Sequence, residues 1–384
     1  MYKIALKMLR EDRARFIGIV LSLSFSAIII TQQASTFFGI MMRTYGTITD
    51  TPQADIWVMD PNVRFIDDIL PLRDTDLFRV RCIEGVAWAV PFFKGTIQAN
   101  LLNGQFQTCI LIGIDDSTLI GAPHTMLEGK VEGLRGPDAV IIDHQGSIDK
   151  LSRDQAPGLP SVPMHVGDVI ELNDQRAKIV GICNISRTFQ SQPVIYTTYN
   201  RALTYSPFQR KQLSFILVKS DGRMPIPELC KKISQTTHFA AYTKEQFENR
   251  TINYYLRYTG IPINFGFSVF LGLLVGAGIA GLIFFSFITE NLKYLALFAA
   301  MGASRWLLVK MTMLQALWVA LLGWGIGTGG SALIGFLARN TELNYHLTWL
   351  VFLGTGFIIF SICIVALFLS ITKIFRIELG TMFK

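Results

Sequence analysis

The sequence predicts an α-helical membrane protein with four transmembrane helices and a large α+β extracytoplasmic domain between spans one and two. Three observations predict it. Residues 16–42, 258–289, 311–338 and 347–372 are four runs without a charged side chain. Each exceeds the roughly 20 apolar residues that cross a bilayer core. The block at 43–257 is polar, mixed in charge and long enough for one or two folded domains. The basic residues, finally, are distributed unevenly among the segments that join the runs.

The composition agrees with the first observation. Of 384 residues, 51% are hydrophobic and 16% charged, and the mean hydropathy is +0.39. A soluble domain carries about 25% charged residues. A charge at a helix centre in lipid costs about 2.5–3.5 kcal/mol on insertion scales, so long charge-free runs are selected by the bilayer. The first run exceeds a signal-peptide core and has no small-x-small site after it, so it reads as an uncleaved span. Gln32 and Gln33 within it are expected to face other helices, where amides find partners.

Orientation follows from the bases. Lys3, Lys7, Arg10, Arg13 and Arg15 precede span one; Lys293, Arg305 and Lys310 follow span two; Lys373, Arg376 and Lys384 close the chain. With four spans these segments share one side, which is therefore cytoplasmic, and the large block is extracytoplasmic. The net charge of +7 is largely this signal. It argues against nucleic-acid binding, because the bases are not gathered in one soluble domain.

Element by element, residues 1–15 read as a cytoplasmic amphipathic helix. Ala5, Met8, Leu9 and Phe16 share its apolar face, laid against the membrane interface. After the span at 16–42, the periplasmic domain covers 43–257. Strands are expected at 54–59, 87–102 and 106–114, the last two joined by Asn103-Gly104, and a helix at 74–84. From about 115 to 207 the reading turns β-rich. It has a breaker-rich loop at 156–163, a hairpin about Asn173-Asp174 with arms 169–172 and 177–182, and a strand at 193–198. Strand 213–219 and helices 226–236 and 243–258 restore α/β character. The domain is thus an α/β part with a β-rich insert. Next come span two (258–289), a cytoplasmic segment (290–310), span three (311–338), a periplasmic loop (339–346), span four (347–372) and a cytoplasmic tail (373–384).

Catalytic constellations are absent from the sequence. Gly129-Lys130-Val131 lacks the spacing and the Ser/Thr of a phosphate-cradling loop, so the chain is expected to hydrolyse no ATP of its own. The five His residues have no metal-ligand spacing. No ionisable residue lies at mid-depth in a span, which argues against ion-coupled transport. Gly272, Gly276, Gly323 and Gly327 are expected to let helices approach closely, with dimerisation through the Gly272 and Gly276 face as one use. Cys82, Cys109, Cys183 and Cys230 lie in the periplasmic block, where disulfides are permitted and three pairings are open.

The segment after span two carries a family resemblance. Glu290, Ala300-Met301-Gly302-Ala303-Ser304 and Gln315-Ala316 resemble the Glu-Arg-x-x-Glu, Ala-x-Gly-Ala-Ser and Glu-Ala signatures of FtsX-like permeases of the MacB type. Tyr294 and Ala296 depart from that pattern, and the spelling looks closer to the DevC branch. Arg376-Ile377-Glu378-Leu379 resembles the family's closing Pro-Ile-Glu-Ala-Leu without its proline, and the stretch from Val166 to Ile182 resembles a hairpin of the family's outer domain. The resemblance implies an ABC transporter permease subunit in the bacterial inner membrane, working as a homodimer. A separate cytoplasmic ATPase would use ATP and Mg, and this chain would bind no cofactor. The implied ATPase-coupling residues are Glu290, Lys293, Tyr294, Leu295, Phe298, Met301, Gly302, Ala303, Ser304 and Arg305. Glu290 is expected to begin the coupling helix and to pair with a basic residue of the partner. A periplasmic adaptor, an outer-membrane channel and an envelope substrate are implied with them. The alternative is an FtsX-like signal transducer that regulates a periplasmic partner such as a cell-wall hydrolase.

Overall fold

A computed structural model describes residues 7–9, 11–101, 104–153, 161–207, 212–338, 341 and 344–375. The chain divides into two compact units, residues 41–259 and residues 1–40 with 260–384. The closing stretch 376–379, Asn103 of the first expected turn and the first part of the loop at 156–163 lie outside the described residues.

The inter-span unit is built on ten strands. They are β1 (Ile56–Met59), β2 (Val86–Asn100), β3 (Phe106–Ile114), β4 (Thr125–Gly129), β5 (Ala139–Asp143), β6 (Val169–Leu172), β7 (Gln175–Asn184), β8 (Val194–Thr198), β9 (Phe215–Ser220) and β10 (Ala240–Thr243). Their order is β10-β1-β9-β2-β3-β8-β5-β7-β4, and β6 pairs with β2 and β7. The described helices of this unit are α2 (Gly46–Thr49), α3 (Asp74–Arg81), α4 (His144–Ile148), α5 (Tyr199–Tyr205), α6 (Ile226–Thr237) and α7 (Lys244–Tyr258), preceded in the chain by α1 (Arg13–Thr44).

The long strand β2 joins the two parts of this unit. Its first half pairs with β9 as far as Phe92↔Phe215, and its second half pairs with β3 from Phe93↔Gly113 onward. The change from the α/β part to the β-rich part therefore falls inside β2, not near residue 115. Composition cannot show this, because β2 is one unbroken strand whose partners change. β4, β5 and β10 were also not anticipated. β5 is buried on both faces and β4 is mostly exposed, so neither shows the alternation that marks a half-buried strand.

Both faces of the central strands are covered. Ile56, Val58, Ile216 and Val218 enter one core with Leu77 and Val80 of α3 and Leu229 and Ile233 of α6. Their neighbours Trp57, Met59, Phe215 and Leu217 enter the other core with Phe247 of α7. The Trp57 ring lies 5.3, 5.6 and 5.8 Å from those of Phe92, Phe215 and Phe247. The Asn173-Asp174 turn has positive φ at both residues, as a tight β6–β7 hairpin requires. Lys94 is buried on β2, and its Nζ lies 2.5 Å from Asp67 Oδ1. All five cysteines are free thiols, and burial pushes Cys109 and Cys183 well above the usual thiol range.

Among the described residues, the other unit contains four helices long and apolar enough to cross a membrane: Arg13–Thr44, Ile261–Glu290, Trp306–Leu337 and Trp349–Phe368. The corresponding full helices are α1, α8 (Ile261–Glu290), α10 (Arg305–Leu337) and α11 (Trp349–Phe375), with the short α9 (Leu292–Ala300) between α8 and α10. Asp12 begins α1, its Oδ1 accepting from Arg15 N at 3.3 Å and its carbonyl from Phe16 N at 3.0 Å. Of the expected amphipathic helix, residues 1–6 and 10 lie outside the description. Leu9, expected on the lipid-facing side, is buried in the bundle's own core.

Small residues set the packing of the first span. A Cβ added at Gly272 would come 2.9 Å from Ile29 Cγ2, and one at Gly276 2.7 Å from Ser26 Cβ. From α10, an added Cβ would come 2.6 Å from Leu23 Cβ at Gly323 and 2.6 Å from the Ser24 carbonyl at Gly327. The first span is thus gripped by glycine faces of both α8 and α10. This corrects the expectation for Gly272 and Gly276: that face is occupied by the chain's own first span, not left open for a second copy. Gln32 meets Ser331 Oγ at 3.4 Å, and Ser331 meets the Tyr345 hydroxyl at 3.0 Å. Thr31 bonds Thr355 at 3.2 Å.

Candidate functional site

The candidate site is the polar interruption between the second and third spans. α8 runs to Glu290, where the Asn291 backbone N–H and its Nδ2 both donate to the Phe287 carbonyl, at 3.1 and 2.9 Å. Asn291 then separates α8 from α9. Glu290 therefore ends a span and does not begin the coupling helix. Its carboxylate sits at the negative end of the α8 dipole, a position that favours cations. Arg15 of α1 offsets this by pairing with Glu290, and Arg15 also holds Asp12 at 2.8 Å. The expected basic partner of Glu290 is thus found within the chain.

α9 ends on a defined stop. Gly302 has φ +94, the Ala303 N–H donates to the Phe298 carbonyl at 3.0 Å, and the Gly302 N–H donates to the Ala299 carbonyl at 3.0 Å. These two bonds are the pattern of a Schellman cap, in which a left-handed residue closes the last carbonyls. An added Cβ at Gly302 would meet nothing within 4 Å, so backbone conformation, not crowding, demands glycine here. Two residues later Ser304 starts α10, its Oγ accepting from Leu307 N at 3.3 Å. The Gly-Ala-Ser triplet is therefore a helix stop, a linking residue and a helix start in succession. The third helix therefore begins earlier than the expected span at 311: residues 305–310 are the first turns of α10.

The two sides of α9 differ. Ala296 is buried, and Phe298, Ala299 and Ala303 pack on the bundle core. Tyr294, Leu297 and Met301 face outward with exposures of 60, 49 and 65%. They lie at i, i+3 and i+7, one face of a helix. Lys293 is exposed beside them, and Trp306, in the first turn of α10, is 71% exposed. The bundle thus takes one side of α9 and leaves the other exposed. Leu295 and Arg305 have described backbone positions, but their side chains lie outside the description. Asn291, Arg15 and Trp306 complete the site and were not singled out from the sequence. The Trp306 signal was legible, as an aromatic two residues after a Ser helix start.

This arrangement leaves a largely apolar face exposed on α9 and the first turn of α10. Among the described residues no group of three His, Cys, Asp or Glu side chains could hold a metal ion. Burying an exposed Tyr, Leu, Met or Trp against a partner contributes roughly 1.5–3 kcal/mol per fully buried side chain. The cap geometry fixes the direction in which those side chains point.

Residues 266–379, which include α9, Gly302 and both helices that follow, match the family model of the FtsX-like permease C-terminal region. No curated protein matches the chain. Among solved structures, the chain is similar to the extracellular domain of YknZ, a noncanonic ABC-type transporter from Gram-positive bacteria. The identity is 15% with a TM-score of 0.35, over 50% of this chain and 99% of that one. It is similar to the periplasmic region of MacB from Actinobacillus actinomycetemcomitans at 14% identity and a TM-score of 0.38, over 55% of this chain and 96% of that one. A domain of a putative permease from Porphyromonas gingivalis gives 11% identity and a TM-score of 0.26, over 42% and 72%. With four apolar helices among the described residues and a mixed α/β domain after the first of them, the chain carries an FtsX-like permease C-terminal region over residues 266–379.

Proposed function

We propose that this permease is the membrane subunit of an ABC-type machine whose energy comes from a separate cytoplasmic ATPase docked on α9. The observation that carries this reading is the outward face of Tyr294, Leu297 and Met301, held between the Gly302 stop and the Ser304 start and flanked by Trp306. The ATPase uses ATP and Mg, and the permease supplies no phosphate site of its own. Two copies of the chain work together in the bacterial inner membrane, with both termini and α9 on the cytoplasmic side. Movement imposed at α9 travels along α8 and the first span to the inter-span domain in the periplasm. There an envelope substrate is exported or extracted, with an adaptor and an outer-membrane channel beyond it. The Arg15–Glu290 pair supports this coupling, since it ties the start of the first span to the end of the second beside α9.

The test uses the full chain purified in mild detergent from its native membrane. An ATPase subunit carrying a phosphate-binding loop is expected to co-purify with the natural sequence and to be lost from Leu297→Glu and Tyr294→Glu. Both substitutions are on exposed positions, so the variants remain inserted. Retention of the ATPase by both variants, with undiminished transport-coupled hydrolysis, would place the docking surface elsewhere.

A further inference from the structure

The inter-span domain carries a second candidate site that the coupling argument leaves unused. A cleft of about 820 Å³ opens between α6, β10 and α7. That volume lies within the roughly 300–1,000 Å³ of small-molecule sites. One whole face of α7 lines it, at positions 246, 249, 250, 253, 254, 257 and 258, while Phe247, Thr251 and Tyr255 take the opposite face into the core. A helix stripe with this spacing is normally apolar when it faces protein. Here it consists of amides, arginines and tyrosines.

The charges in the cleft are of one sign. Arg64, Lys231, Arg250 and Arg257 line it, and no Asp or Glu does. Two of the four are occupied structurally. Arg64 Nε bonds Asp68 at 3.0 Å, and Arg250 is held by the Val63 carbonyl at 2.9 Å and the Tyr242 hydroxyl at 3.0 Å. Lys231 and Arg257 are exposed and form no ion pair among the described residues. They are cations presented to a cleft without a counter-charge.

The aromatic component is ordered. Phe65 stacks on Tyr254 with ring centroids 4.1 Å apart at 12°, and Tyr258 follows at 5.4 Å and 30°. Tyr258 is 74% exposed at the end of this stack, so most of its ring is open as a platform. Gln235, Asn249 and Asn253 are exposed amides in the same cleft, able both to donate and to accept. An aromatic platform suits the C–H face of a sugar ring, amides suit its hydroxyls, and unpaired cations suit a carboxylate or phosphate.

We propose that this cleft binds an acidic saccharide, with a sugar ring on Tyr258, hydroxyls toward Gln235, Asn249 and Asn253, and the anionic group between Lys231 and Arg257. The saccharide is either free or the headgroup of a membrane glycolipid. The site stands independently of whether an ATPase docks on α9.

The experiment uses the full chain in phosphatidylcholine nanodiscs. Hydrogen exchange over residues 227–258 is followed with trigalacturonate, with neutral maltotriose, with hexaglutamate, and with glucuronosyl diacylglycerol built into the disc. Trigalacturonate or the acidic glycolipid is expected to protect this segment, and maltotriose to do so about tenfold more weakly or not at all. Lys231→Gln and Arg257→Gln are expected to weaken protection about tenfold each, and Tyr258→Ala comparably. All three positions are exposed, so the variants fold. Protection by trigalacturonate identifies a free saccharide as the source, and protection by the glycolipid alone identifies a lipid headgroup. Absence of protection by both, binding that the three variants leave unchanged, or protection by hexaglutamate alone overturns the proposal. The last result would make the cleft a site for acidic peptide.

Discussion

The two units solve the same packing problem with opposite side chains. In the inter-span domain the centre is large: Trp57 is fully buried among Phe92, Phe215 and Phe247. In the bundle the closest approaches are made by residues with no side chain, Gly272, Gly276, Gly323 and Gly327, against Ile29, Ser26, Leu23 and Ser24. The difference reflects the solvent. Water drives large apolar surfaces together, so the domain gains by burying big rings. Lipid offers no such drive between helices, so the bundle gains from close backbone approach and polar contacts between helices. The exposures show the same contrast. Leu282, Phe336 and Phe357 are 73, 69 and 76% exposed on the bundle, a surface suited to lipid.

Perturbing each kind of packing should therefore have opposite signs of volume change. The largest effect is expected from deleting volume in the domain. Trp57→Ala should cost about 3–5 kcal/mol, read as accelerated hydrogen exchange in β1 and β9 while the bundle is unaffected. In the bundle, adding volume is the damaging change. Gly327→Leu should cost about 1–3 kcal/mol and lower the unfolding midpoint in mixed micelles. Gly327→Leu stability equal to the natural protein's would mean that the first span does not pack there.

Smaller effects test the site where the two spans meet. Gly302→Val should cost about 1–2 kcal/mol, because a β-branched residue resists the left-handed conformation. Gly302→Asn should cost less, and both should leave the first span in place. If Val and Asn were equivalent in thermal unfolding, the cap would not be holding α9. The smallest effect is expected from the exposed ion pair. Glu290→Arg alone should destabilise by under about 1 kcal/mol, and the exchanged pair Arg15→Glu with Glu290→Arg should recover most of it. Recovery of ATPase co-purification in the exchanged pair would assign Glu290 to the permease itself. Persistent loss would return it to the partner contact.

Local chemistry was legible wherever it closes within a few residues. The Asn173-Asp174 turn, the Gly302 stop and the helix after Thr243 are each decided by short-range backbone demands. The Thr243 hydroxyl, for example, caps α7 by accepting from Gln246 N at 3.2 Å. Glu290 was misread as a helix start because Asn291 breaks the helix one residue later than expected, and its pairing with Arg15 joins residues far apart in the chain. The glycines announced close approach but not its object, since a small face is equally suited to a helix of the same chain or of another.

By itself the sequence determined the number and length of the spans, because lipid excludes charge along any helix that crosses it. It also marked where α9 stops, because left-handed backbone demands a particular residue type, but not where α10 starts, which lies at Arg305 and not at 311. Only the tertiary structure decided which helix the glycines grip, which side of α9 remains open, and how β2 passes from one half of the sheet to the other. Those outcomes depend on pairings such as Gly276 with Ser26 and Phe92 with Phe215, between residues distant in sequence. No local preference encodes such a pairing. It is fixed only when both surfaces exist and the alternative contacts have been excluded by packing.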